Sequence, residues 1–109
     1  MTHTTIHDLR DSVAIQPGAV VSKVVHRDAR IDVTVFGFDA GEGLTEHTAS
    51  RPAIVQVLSG RLRVTVDGED IRVDPGTWIH MERGAPHALV AEEPTTMLLT
   101  LLRSEDDPG

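Results

Sequence analysis

An all-β domain is predicted from three observations. Period-two alternation of apolar and polar residues recurs while helical periodicity does not, glycine-bearing turns separate the alternating segments, and 109 residues suffice for one core. Residues 1–18 read as an N-terminal arm with one helical turn near Ile6 to Val13. A strand follows at Val20 to Val25, then Ile31, Val33 and Val35 alternate with Asp32, Thr34 and Phe36, which predicts that the aliphatic set faces inward. Ile54 to Leu58 is a nearly continuous apolar run, expected of a strand covered on both sides. Ser59-Gly60 turns the chain into Leu62, Val64 and Val66, which alternate with Arg61, Arg63 and Thr65. Asp67-Gly68 and Asp74-Pro75-Gly76 supply two further turns. Thr77 to Met81 and the apolar run Met97 to Leu102 complete a barrel predicted over residues 19–103, ahead of an acidic tail at 104–109.

Seventeen acidic against ten basic residues give a net charge of −7, a field that repels phosphate backbones and anionic headgroups. Neither nucleic acid nor membrane is an expected partner. Cysteine is absent, so disulfides, thiolate metal sites and cysteine nucleophiles are excluded. Any metal must be held by nitrogen and oxygen. No charged start followed by an apolar stretch marks the N-terminus, which predicts a cytoplasmic protein. His3 and His7 read as surface residues of the arm, and His26 as a surface residue at a strand end.

Two histidines carry the chemistry. His47 follows the Gly41-Glu42-Gly43 turn, and His87 follows Gly84-Ala85-Pro86. Hairpins between them bring both imidazoles to one pocket, where they can act as metal ligands or as acid and base near neutral pH.

From Gly41 to His87 the chain resembles the cupin superfamily. Gly41, His47 and Gly60 keep the spacing of that family's first motif, while Ala49 and Ala53 stand where it has a second histidine and a glutamate. Gly76, Gly84 and His87 keep the spacing of the second motif, with Glu82 in place of the usual proline. The resemblance implies a double-stranded β-helix, a jelly-roll-like barrel with its site inside. It also implies a divalent transition metal (zinc, iron, nickel, manganese or copper) on three histidines and a glutamate, here reduced to His47 and His87.

His80 is the leading replacement ligand. Alternation sets it on one face with Trp78 and opposite Ile79 and Met81, but both faces are apolar, so parity does not say which is interior. Gln56 and Glu82 are further oxygen donors. The two alanines widen the pocket and make it less polar, which suits a small organic guest against Ala49, Ala53, Gln56, Trp78, Met81 and Phe36. Arg51 at the cavity mouth either pairs with an acidic guest or is an exposed strand-end charge. Two functions follow: a metal-dependent small-molecule cupin, with oxygenase or isomerase chemistry by family analogy, and a metal-free binding or sensing module. The apolar runs at Ile54 to Leu58 and Met97 to Leu102 predict a homodimer.

Overall fold

The structure, a computed structural model, describes residues 2–103; the expected acidic tail at 104–109 lies outside them. Nine strands form: β1 (Val20–Arg27), β2 (Ile31–Phe38), β3 (Gly43–His47), β4 (Ala53–Ser59), β5 (Leu62–Val66), β6 (Glu69–Val73), β7 (Trp78–Met81), β8 (His87–Ala91) and β9 (Thr95–Leu102). They make two antiparallel sheets, ordered β1-β2-β9-β4-β7 and β3-β8-β5-β6, packed face to face as the predicted jelly-roll barrel. Among the described residues no helix is long and apolar enough to cross a membrane.

Local chemistry sets the turns. Asp67 and Gly68 adopt φ of 50° and 80°, the doubly left-handed pair that closes a two-residue hairpin between β5 and β6. Asp28 closes the β1–β2 turn, its Oδ1 accepting from the backbone N–H groups of Arg30 and Ile31 at 2.7 and 2.9 Å. These bonds, with that to His26, lower its carboxyl to about 2.

The core lies between the sheets. Phe38, Val55, Met97, Leu62, Val64 and Val73 are essentially without exposed surface, and each such side chain contributes on the order of 1.5–3 kcal/mol by leaving water. Strand pairing sets rows of side chains on the inner face of the five-stranded sheet. One row runs Thr34, Leu99, Val55, Ile79, and the next runs Asp32, Leu101, Ala53, Met81.

Those rows correct one expectation. On β2 it is Asp32, Thr34, Phe36 and Phe38 that face the barrel interior, and Ile31, Val33 and Val35 face outward. The aliphatic set still leaves water, Val35 completely, because the N-terminal arm lies along this outer face. The arm contains the expected single turn, a 3-10 helix at Leu9–Ser12. Beyond it Val13 and Ile15, with Val21 of β1, press on Gly37 so closely that a Cβ there would sit 3.0–3.3 Å from all three side chains. The apolar parity on β2 reports this outer cover, and the inner parity carries the charged Asp32.

Candidate functional site

All loops at one end of the barrel gather the polar chemistry: the β1–β2 turn, the β3–β4 and β7–β8 loops, the β5–β6 turn and the chain after β9. The two longer loops are tied together by Gly84, whose N–H donates to the Ala49 carbonyl at 2.9 Å. Asp67 N–H likewise donates to the Pro86 carbonyl at 3.0 Å, closing the other side of this end.

His47 and His87 meet here as directly opposed residues of β3 and β8. Their register depends on a bulge. Leu44 pairs with Leu89 and His47 with His87, so β3 advances three residues while β8 advances two. The extra residue switches the parity of β3, and Leu44 and His47 both line the same cavity, which regular alternation forbids. Gly43 makes the pairing possible at its other end, since a Cβ there would collide with the Leu89 carbonyl.

The two rings stand edge to face with centroids 4.2 Å apart and planes at 62°. His87 is 7 % exposed, whereas His47 lies at the open rim. Each Nδ1 lies 2.8 Å from a backbone carbonyl, of Thr45 for His47 and of Ala85 for His87. A carbonyl only accepts, so each Nδ1 carries the proton and donates it. Both Nε2 atoms are left as the available lone pairs, oriented from behind as metal-binding or proton-accepting imidazoles are.

The rings close a cavity of about 40 Å³ walled by Leu44, Val55, Val64, Met81, Leu89, Met97 and Leu99. It holds a water or one methyl-sized group. Met81 also borders a recess of about 380 Å³ outside, between Val66, Asp67, His80 and the Glu82–Pro86 loop. One methionine thus separates the inner cavity from the larger space at the mouth.

The other expected site residues fall elsewhere. His80 is exposed on the outer face, stacked on Trp78 with centroids 6.2 Å apart and planes at 15°, and so is not a third ligand inside the barrel. Trp78 is 59 % exposed on that same outer face and lines no interior wall. Gln56 pairs with Trp78 and Leu98 and shares their outward parity, so it supplies no oxygen to the cavity. Glu82 is exposed in the β7–β8 loop. Phe36 faces inward but packs parallel to Phe38 at 5.7 Å rather than walling the cavity. Ala53 is buried and inward in the Met81 row, and Ala49 is half-buried in the β3–β4 loop; neither borders the cavity. The cavity is therefore smaller than the two alanines imply, because Met81, Met97 and Leu99 fill the space.

These positions decide the metal question on donor chemistry. Among the described residues no three His, Asp or Glu side chains are grouped to hold an ion. Two imidazole nitrogens are half of a four-donor shell, and a methyl group at Ala49 or Ala53 donates nothing. A transition metal held by protein side chains alone does not fit.

Arg51 is neither free nor simply exposed. Its Nη1 donates to Oδ2 of Asp32 at 2.8 Å, and the same carboxylate accepts from Arg27 Nε at 3.0 Å and from Arg103 Nη2 at 3.0 and 2.9 Å. Burial by itself raises the Asp32 carboxyl, but the hydrogen bonds from Arg103 and Arg51 and the charges of Arg103 and Arg27 outweigh it, holding the group at about 2. Sequence reading missed this cluster; the signal was an acid within an apolar alternation, the unusual member of β2.

Residues 34–102 match the profile of the family described as Cupin domain. The fold superposes on a conserved protein of unknown function from Streptococcus pyogenes with a TM-score of 0.84 and 34 % identity, covering 96 % of this chain and 92 % of that one. A cupin 2 conserved barrel domain protein from Leptotrichia buccalis gives 0.81 at 35 % identity, over 86 % of this chain and 46 % of that one. KdgF from Halomonas sp. gives 0.75 at 27 % identity, over 87 % and 89 %. No curated protein matches the chain.

Proposed function

The chain belongs to the cupin family, and from that premise we propose that it binds a small organic molecule at the barrel mouth, with the His47–His87 pair as its polar contact. The observation that carries this reading is the opposed imidazole pair, both Nδ1 atoms anchored to carbonyls and both Nε2 atoms left available beside an apolar cavity. The cavity takes a methyl or a water, so the body of the guest rests outside it, against the rim. Proton transfer on the guest, as in an isomerisation, is the chemistry such a pair supports without a metal.

Ring signals of His47 and His87, followed by NMR across a library of small metabolites, test the reading. A guest that shifts both rings and loses affinity in His87→Ala supports it; guests that bind without moving either ring refute it. The second reading is a divalent ion on the two Nε2 atoms, completed by water and guest. The fixed tautomers favour it, and metal uptake that appears only with the guest present is its test.

We propose a homodimer as well. The runs Ile54 to Leu58 and Met97 to Leu102, from which the sequence predicts it, lie in the interior strands β4 and β9. The contact proposed is instead the edge strand β1, where Val20 and Val24 are 37 % and 46 % exposed. Sedimentation of wild type against Val24→Lys tests this, and a monomeric wild type refutes it.

A further inference from the structure

Three guanidinium groups converge on one carboxylate at the mouth of the barrel. Asp32 has roughly four acceptor sites, all engaged by its four contacts from Arg27, Arg51 and Arg103. Each guanidinium carries about five N–H donors, so most of the donors in the cluster have no acceptor in Asp32. Arg103 Nε is, among the described residues, the one buried side-chain polar atom with no hydrogen-bond partner. In charge the imbalance is three cations against one anion, within a chain whose net charge is −7.

A single arginine would satisfy Asp32 as a structural ion pair. A second and a third add mutual repulsion that solvent or a further anion must offset. The placement favours a further anion. Asp32 sits on the inner face one row beyond Thr34, Leu99 and Val55, the last two of which wall the cavity. Arg51 starts in the β3–β4 loop, four residues after His47. To reach Asp32 on β2 its side chain crosses the end of β9, which lies between β4 and β2. The Arg51 side chain is 23 % exposed at this end of the barrel, that of Arg103 13 % and that of Asp32 4 %, while Arg27 reaches the same carboxylate from a 59 % exposed position.

We propose that this cluster is an oxyanion-binding subsite, and that the guest of the histidine pair carries a carboxylate or a phosphate. The inference rests on the preceding reading for the location of the guest, and adds its chemical class. Arg51 donates to the oxyanion with the part of its fork that Asp32 does not use. Asp32 is a positioning residue: its carboxylate holds Arg51 flat across the opening. The apolar cavity takes a small alkyl branch of the same molecule.

The test uses three probes with one alkyl body: isobutyrate, isopropyl phosphate and the neutral isobutyramide, titrated into the full chain by calorimetry and followed at the His47 and His87 ring signals. Either oxyanion is expected to bind about tenfold or more tightly than the amide, with affinity falling as salt rises, and the stronger of the two identifies the group. Arg51→Gln keeps the Asp32 contacts of Arg27 and Arg103, and is expected to remove that preference. Equal binding of amide and oxyanions by wild type, or an undiminished preference in a folded Arg51→Gln, overturns the subsite; the wild-type comparison stands even if the variant fails to fold. An oxyanion preference that depends on Arg51 but leaves both rings unmoved keeps the subsite and refutes the histidine reading instead. Amide binding that shifts both rings with no oxyanion preference does the reverse.

Discussion

Met81→Ala isolates the wall between the cavity and the outer recess. Met81 is 4 % exposed, stands in the inner row with Ala53 and Leu101, and borders both the 40 Å³ cavity and the 380 Å³ recess. Truncation removes two carbons and the sulfur, losing about 2 kcal/mol of transfer free energy. The side chain leaves a void of roughly 60 Å³, and at about 24 cal/mol per Å³ that adds on the order of 1.5 kcal/mol if the walls do not relax. Water entering from the recess offsets part of this term, giving an expected loss of about 3 kcal/mol, or roughly 12–24 °C in Tm for a domain of this size. Urea unfolding followed by circular dichroism measures the first figure and calorimetry the second. The variant should also admit guests the wild type rejects, because cavity and recess become continuous; branched acids one or two carbons longer than isobutyrate are the probes. A loss below about 1 kcal/mol with no gain of larger guests would refute the assignment of Met81 as the partition.

Three other outcomes are expected. The Asp32 carboxyl is depressed from 3.8 to about 2 in the folded chain, so its contribution to stability is complete above pH 3.8 and is lost as pH falls toward 2; acid unfolding of wild type should show this loss and Asp32→Asn should lack it. Zinc should bind the wild type weakly, while Ala49→His with Ala53→Glu should raise affinity by about a hundredfold or more, measured by competition with a chromogenic chelator; no gain would show that the loop cannot bring position 49 to the pair. Gly43→Ala should separate β3 from β8 through the collision with the Leu89 carbonyl, lowering Tm and moving the His47 ring signal, whereas a native spectrum would contradict the close approach at that pairing.

The barrel was legible in the sequence because each turn residue and each alternating segment pointed the same way. Asp67-Gly68 closes a hairpin where expected, and Leu62 and Val64 face the core as their period implied. The convergence of His47 and His87 was legible from the motif spacing. What period-two reasoning misread were strands with two apolar faces. On β2, Ile31, Val33 and Val35 are covered from outside by the arm, so hydrophobicity identified burial but not the side. On β7 the same ambiguity hid which parity was interior; Ile79 and Met81 face in, and Trp78 and His80 face out. The arginine cluster was hidden for a different reason, since Arg27, Arg51 and Arg103 lie far apart in sequence and meet only through sheet order.

The inserted residue in β3 makes the pair tolerant of a change in strand length. Removing Thr45 or Glu46 would leave position 47 two residues from Leu44, where plain alternation keeps the imidazole on the cavity face without any bulge. A three-nucleotide deletion at that point would then spare both the reactive centre and the scaffold. Descendants of such a barrel can carry this strand at either length with the two imidazoles still opposed.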